Sequence, residues 1–204
     1  MLALLLAAAF TAPVTPTEEV TFSAGQRVTV TGPTNRSDAQ GWSPPWAHEQ
    51  TLLSPPADAA AVRFCWDAVK YHGCQVYLAR PAQPVLELKN SNVTRLLWTG
   101  DGKYLIGAGE NTLRLWNLMG GSRTAVPRPV LYGNQQSVSH IRRLWLRGRD
   151  LCVARNSEAF GPNGGYATGY LITTTRYALP TLRPLTMTTL PAPSLSGTKE
   201  APCR

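Results

Sequence analysis

An all-β fold is what this 204-residue sequence predicts, and three observations predict it. Only 16% of residues are charged, and 17 Gly with 17 Pro punctuate the chain. That composition favours strands and turns over long helices. Short apolar runs alternate with period two and are separated by turn signals. Similar runs return at offsets of 38 and 48 residues, which is the spacing of small sheets repeated in series. The expected architecture is a set of small antiparallel sheets arranged as three to four propeller-like blades, with a β-sandwich as the alternative. A hydrophobic fraction of 43% can build a core and excludes full disorder. Collagen, coiled-coil and multi-pass membrane readings fail because their periods and lengths are missing.

Residues 1–12 read as a signal peptide. Met1-Leu-Ala-Leu-Leu-Leu-Ala-Ala-Ala-Phe10 is an apolar run followed by small residues, and Ala7-Ala8-Ala9 offers a small-x-small cleavage site. The run is too short to cross a bilayer, which takes about 20 apolar residues. No transmembrane span is expected after its removal. The chain is therefore expected to be exported, to the periplasm, the cell surface or the medium.

Residues 13–58 form an N-terminal region. Val20-Thr-Phe-Ser23 and Arg27-Val-Thr-Val-Thr31 alternate around the turn Ala24-Gly-Gln26. Residues 32–58 then read as a long loop containing Trp42, Trp46 and paired prolines. Trp42 and Trp46 suit either a binding ledge or a cover over an open edge of the core.

Residues 59–190 hold the repeated sheets. Ala61-Val-Arg-Phe-Cys-Trp66, Cys74-Gln-Val-Tyr-Leu-Ala79 and Pro84-Val-Leu-Glu-Leu88 are strand-like. The most regular part runs from Val93 to Leu118. Asp101-Gly102 between apolar runs there marks a hairpin, because glycine accepts the positive φ of the turn. Gly120-Gly121 would end the unit, with Arg128 to Tyr132 as a further short strand. A looser copy begins at Ile141-Arg-Arg-Leu-Trp-Leu-Arg147, continues through Leu151 to Arg155 and Tyr170 to Thr174, and would close at Tyr177 to Leu182. Cys74 to Arg80 matches Thr112 to Leu118 at the offset of 38. Residues 191–204 read as a disordered Pro/Ser-rich tail unless Cys203 ties it down.

Trp98-Thr-Gly-Asp-Gly-Lys-Tyr-Leu105 followed by Thr112-Leu-Arg-Leu-Trp-Asn-Leu118 resembles a WD40 repeat, over residues 93–118. The resemblance implies a propeller-type blade. Asn117 stands where the family has the Asp of its Trp-Asp dipeptide, and Lys89 where its histidine is expected. The length allows three or four blades of about 40 residues, too few for a seven-bladed ring. Such a partial stack leaves sheet edges open, which oligomerisation or another chain would cover.

Four cysteines in an exported chain suggest disulfides, with three possible pairings. Cys65 and Cys74 flank a segment that a hairpin would fold back on itself, so they are the preferred pair. Cys152 is either a buried thiol or a partner for Cys203. No metal site is expected, because no C-x-x-C pair or histidine cluster accompanies these residues. Asp67, His72 and Cys74 form only a remote metal alternative.

The net charge of +8 is uneven. Residues 1–60 carry two Arg against five carboxylates, whereas residues 61–204 carry a large basic excess. Sixteen of the twenty basic residues are Arg, which suits an anionic partner and equally fits a GC-rich coding bias. The densest run holds Arg142, Arg143, Trp145, Arg147 and Arg149. On a strand, Arg143, Trp145 and Arg147 share a face by period two. They would bind an anion or stack on a sugar or base, or else stack on one another. No nucleophile, phosphate-loop or dinucleotide motif occurs, so no catalytic residue and no cofactor is expected. Asn35-Arg-Ser37 and Asn92-Val-Thr94 match the N-glycosylation pattern only by accident.

The sequence therefore predicts an exported, non-enzymatic interaction or structural module of the bacterial cell envelope. It would bind another protein through sheet edges and loops. The alternative is a binding module for an anionic polymer, polysaccharide or nucleic acid, through the Arg/Trp strand.

Overall fold

The structure, a computed structural model, describes residues 15–34, 45–68, 71–109, 111–127, 131–132, 135–136, 139–160, 167–192, 194 and 199–204. The signal segment 1–12, Trp42, the Asn35 sequon and the glycine loop 161–165 lie outside the described residues.

Sixteen strands and no helix make up the described elements. Strands β1 (Thr17–Thr21) and β2 (Arg27–Thr31) form a hairpin. Sheet I contains β3 (Ala47–Leu53), β4 (Ala60–Ala68), β5 (Tyr71–Ala79) and β6 (Leu86–Glu87). Sheet II contains β7 (Arg95–Trp98), β8 (Tyr104–Ala108), β9 (Leu113–Asn117) and β10 (Ser122–Ala125). A two-stranded hairpin follows, β11 (Leu131–Tyr132) with β12 (Gln135–Gln136). Sheet III contains β13 (Ser139–Arg147), β14 (Asp150–Phe160), β15 (Ala167–Ala178) and β16 (Arg183–Ala192). Each large sheet is an antiparallel meander in chain order. The fold is all-β, built from small antiparallel sheets, as the sequence predicts.

The sheets stack face to face through three apolar cores. Val20, Phe22 and Val30 of the N-terminal hairpin pack on Val62, Phe64 and Tyr77 of sheet I. The opposite face of sheet I, with Ala61, Val76 and Leu78, meets Trp98, Leu105 and Trp116 of sheet II. The far face of sheet II, with Ile106, Leu113 and Leu115, meets Ile141, Leu151 and Val153 of sheet III. Sheets I and II are thus covered on both sides. That explains why Ala59 to Val62 and Leu105 to Ala108 read as continuous runs instead of a polar–apolar alternation.

Local sequence sets the turns. The β7–β8 and β13–β14 hairpins turn at Gly102 and Gly148, with φ of 69° and 61°. These are the equivalent turns of the 48-residue copy, and an L side chain is disfavoured at that φ. Gly107 serves a different need. A Cβ there would lie 2.6 Å from the Trp116 ring, so only glycine lets that ring lie flat on β8.

Polar side chains fasten one sheet to the next. Trp98 Nε1 donates to the Leu52 carbonyl at 2.8 Å, and Arg95 Nε donates to the Ile141 carbonyl at 3.2 Å. Beyond the two-residue β6, Ser91 Oγ and Asn92 Oδ1 accept from the backbone N–H groups of Val76 and Cys74 at 2.8 and 2.9 Å. Side chains thereby replace a missing strand edge. This also occupies the amide of the Asn92-Val-Thr94 sequon.

Four expectations are corrected. The loop drawn over 32–58 contains β3, which the alternation rule missed because a bulge between His48 and Gln50 breaks the period. Sheet II does not end at Gly120-Gly121; β10 adds a fourth strand, paired to β9. Tyr177 to Leu182 does not close sheet III. Ala178 to Leu182 is a turn, closed by the Leu182 N–H on the Ala178 carbonyl at 2.8 Å, and β16 is the closing strand. Strand β16 also runs through Pro191 and Ala192, inside the segment read as tail.

The two ends of the stack are covered by the chain itself. The β1–β2 hairpin covers the outer face of sheet I. At the other end, Cys203 is bonded to Cys152, and Ala201 is buried against the outer face of sheet III. The described part of the tail, 199–204, is therefore tied down. No helix among the described residues is long and apolar enough to cross a membrane.

Candidate functional site

The register brings Cys65 and Cys74 directly opposite each other on β4 and β5, and they form a disulfide, as the hairpin reading predicts. The second bridge, Cys152–Cys203, was one of the open alternatives. No described cysteine is free.

The five basic-strand residues do not form one site. Arg143, Trp145 and Arg147 line one side of a cavity of about 390 Å³, whose other side is Glu200 to Cys203. Arg143 stacks on Trp145, with its guanidinium carbon 5.7 Å from the ring centroid. It also faces Glu200 at 3.6 Å. Arg147 donates to the Cys203 carbonyl. The tail thus occupies the apolar and acidic contacts that an external ligand would make with this strip. Arg142 sits at a bulge between Ile141 and Arg143, which breaks its register with the rest. Arg149 lines a separate cavity of about 480 Å³ between the two equivalent hairpin turns, with Asp101 and Lys103. There the Thr99 hydroxyl, donating at 2.7 Å, holds the Asp101 carboxyl below its usual range.

Trp46 is not an open ledge. It packs against the hairpin core and makes an edge contact with Trp66, with centroids 6.4 Å apart. Its proposed companion, Trp42, lies outside the described residues.

A site that sequence reasoning missed lies where β3 and β4 of sheet I meet β7 of sheet II and β13 of sheet III. Arg63, Arg95 and Arg143, one from each sheet, line a cleft of about 460 Å³ together with Glu49, Gln50 and Thr94. The three arginines are 32 and 48 residues apart in sequence, so no local motif announces them. The 48-residue spacing between Arg95 and Arg143 is the repeat offset itself, and it was the available signal.

Electrostatics in the cleft are one-sided. Arg63 is almost wholly buried, and burial pulls its pKa below the usual arginine value. Glu49 opposes that shift, accepting from Arg63 at 3.0 Å. A second donor of Arg63 reaches the Val93 carbonyl at 3.4 Å. Arg95 has no ion pair among the described residues, and Arg143 has only Glu200. The lining thus holds three arginines against one carboxylate, a basic excess, although the Arg143 guanidinium itself lies against Trp145 and Glu200 beside the tail.

One further cluster adjoins this cleft. Glu49, Cys65, His72 and Cys74 place their potential ligand atoms within 4.8 Å of one another. His72 Nε2 lies 2.9 Å from Cys74 Sγ. Asp67, named with His72 and Cys74 from sequence, is not in this cluster; the bulge in β3 puts Glu49 there instead.

No family model matches the chain, and no curated protein matches it. One solved structure, a crystal structure of a protein from Lactobacillus plantarum, is similar over 87% of this chain at 14% identity, with a TM-score of 0.34. The chain spans 65% of the length of that structure.

Proposed function

We propose that the protein is an exported, non-enzymatic binding module of the cell envelope that recognises an acidic polysaccharide through the Arg63–Arg95–Arg143 cleft. The observation that carries this reading is a cleft lined by one arginine from each of three sheets with a single carboxylate. Guanidinium forks match carboxylate groups in a bidentate way. The cleft lining has no aromatic side chain among the described residues, so the stacking platform that nucleic-acid single strands need is missing there. Two disulfides fit an oxidising compartment, where acidic polysaccharides are also found. The stack of sheets I to III is read here as three propeller-like blades, with the first strands β3, β7 and β13 nearest the axis. In that arrangement the cleft occupies the axial position.

The test is binding of an acidic polysaccharide to the full chain across a salt series. Binding should weaken steeply with added salt. Arg143→Gln with Arg95→Gln should lower affinity by about a hundredfold, at roughly tenfold per charge-assisted contact. Unchanged binding by the double variant would sink the reading. Arg63 is unsuitable for this test because its removal leaves Glu49 without its ion-pair partner.

Strand β16 favours a second reading, a protein partner. It is a ten-residue edge strand of sheet III, with Met187 and Leu190 exposed along it. Such an edge accepts an added strand from another chain. Thr188→Pro, which removes a backbone donor in mid-strand, should abolish partner capture and leave polysaccharide binding intact. Capture undiminished by that variant would exclude the edge.

A further inference from the structure

We infer that the reduced protein binds one zinc ion through Cys65, Cys74, His72 and Glu49, so that the Cys65–Cys74 disulfide and a metal site are alternative states of the same four residues. This goes beyond the acidic-ligand reading and does not depend on it, although Glu49 borders both sites.

The geometry comes from three different constraints of the fold. The β4–β5 register sets Cys65 opposite Cys74. His72 is two residues before Cys74 on β5, so the period of two puts both side chains on one face. There His72 Nε2 already lies 2.9 Å from Cys74 Sγ. The β3 bulge turns Glu49 toward the same point. All four ligand atoms lie within 4.8 Å of one another. In a tetrahedral zinc site with bonds of about 2.0–2.3 Å, neighbouring ligand atoms are roughly 3.3–3.8 Å apart. The cluster is already close to that size: the two sulfurs must separate, His72 Nε2 must move out from Cys74 Sγ, and the widest spacings must close by about 1 Å.

The donor set of two thiolates, an imidazole and a carboxylate suits zinc better than a hard cation such as magnesium or calcium. His72 and Glu49 are solvent-exposed and the two cysteines are buried, so an ion would approach from the His72 and Glu49 side. Asn92 Oδ1 accepts from the Cys74 N–H at 2.9 Å and steadies the backbone behind one ligand. Glu49 is also the partner of Arg63, so zinc binding would draw one carboxylate oxygen away from the cleft.

The exchange of states balances with a dithiol reductant. The reductant gives two electrons and two protons to the Cys65–Cys74 bond and is itself oxidised to a disulfide. Zinc then takes both sulfurs as thiolates, and the two thiol protons pass to solvent. A sulfur held in the disulfide supplies no thiolate, so the oxidised protein lacks half of the ligand set.

The test uses the full chain, oxidised or reduced with a dithiol and then freed of reductant without air. Cobalt(II) serves as the spectroscopic probe and zinc as competitor. The reduced chain should bind one cobalt, with thiolate-to-metal charge-transfer bands and the visible bands of a tetrahedral site, and zinc should displace it. The oxidised chain should show neither. His72→Ala, at an exposed position that leaves both disulfides possible, should weaken binding by about a hundredfold. Cys74→Ser, which keeps only the Cys65 thiolate, should weaken binding and cut the charge-transfer intensity to about half or less, and Cys203→Ser should leave it unchanged. Absence of stoichiometric cobalt binding by the reduced chain, folded or not, overturns the inference. Equal binding by the oxidised chain, or by His72→Ala, overturns it too. The acidic-ligand reading is scored separately, by polysaccharide binding of the oxidised chain.

Discussion

Sheets II and III are the two copies of the 48-residue repeat, yet they are stabilised differently. Sheet II is short, and its buried side chains are nearly all apolar, with Trp98, Leu105, Ile106, Leu113, Leu115 and Trp116 inside. Sheet III has strands of nine to twelve residues and buries Arg155, Asn156, Ser157, Thr173, Thr174 and Thr175. Burial pulls the Arg155 pKa down, against the effect of the neighbouring Tyr177. The Arg155 Nε, the Ser157 hydroxyl and the Thr174 hydroxyl have no hydrogen-bond partner among the described residues. Position accounts for the outer-face groups Asn156 and Thr174, whereas Arg155, Ser157, Thr173 and Thr175 share the face of Val153, where the longer strands of sheet III run past sheet II. Sheet II lies between two other sheets, so both faces bury apolar surface. Sheet III ends the stack, and its outer face is covered by a tail that a disulfide holds in place.

The contrast can be broken at several points, and the largest effect is expected in sheet II. Trp116→Ala removes a buried ring that lies flat on Gly107, and should cost about 3–5 kcal/mol. Urea unfolding measures this, and a loss under 1 kcal/mol would mean that the two inner sheets do not share that core. Next comes the tail. Cys203→Ser opens a bridge between residues 51 apart, and chain entropy puts its loss at about 4 kcal/mol. Cys74→Ser opens one spanning only 9 residues and should cost less, about 3 kcal/mol. The reverse order would show that the tail is not what holds the outer face of sheet III.

A smaller effect is expected at the first sheet, and it depends on pH. Burial, then the nearby Glu87 charge, pushes the Tyr77 pKa up to about 12 from an ordinary value of 10. The folded state therefore resists ionising this hydroxyl, and the unfolded state does not. Its contribution is fully present below pH 10 and is lost as pH rises toward 12. Stability should fall across that window by the order of 2 kcal/mol, at about 1.4 kcal/mol per pH unit. Tyr77→Phe should flatten the fall; an unaltered alkaline profile would exclude Tyr77 as its source. The smallest change is a gain. Thr174→Val keeps the shape and removes an unpartnered hydroxyl, so it should stabilise sheet III by about 1 kcal/mol. A loss of stability would reveal a partner for that hydroxyl.

Much of the fold was legible because its signals are local. The Asp101-Gly102 turn, the alternation in Arg27 to Thr31 and the hairpin joining Cys65 to Cys74 each depend on a few adjacent residues. Strand β3 was not legible, because a bulge breaks the period on which recognition depends. Strand β16 was missed for a different reason. Its Thr-rich sequence carries Pro184 and Pro191, which read as loop but are tolerated on an edge strand. The candidate site was the least legible part. Arg143 was named from its dense local run, whereas Arg63 and Arg95 stand singly among apolar residues.

The sequence by itself determined the all-β class, the small repeated sheets and the Cys65–Cys74 bridge. Strand period, turn chemistry and hairpin register all act over a few residues. Only the tertiary structure decided which arginines meet, which residues approach the disulfide and what covers the ends of the stack. Those outcomes depend on how the faces of separate sheets pack. Apolar burial is non-directional, so it drives the stacking without recording in any one segment which distant side chains it will bring together.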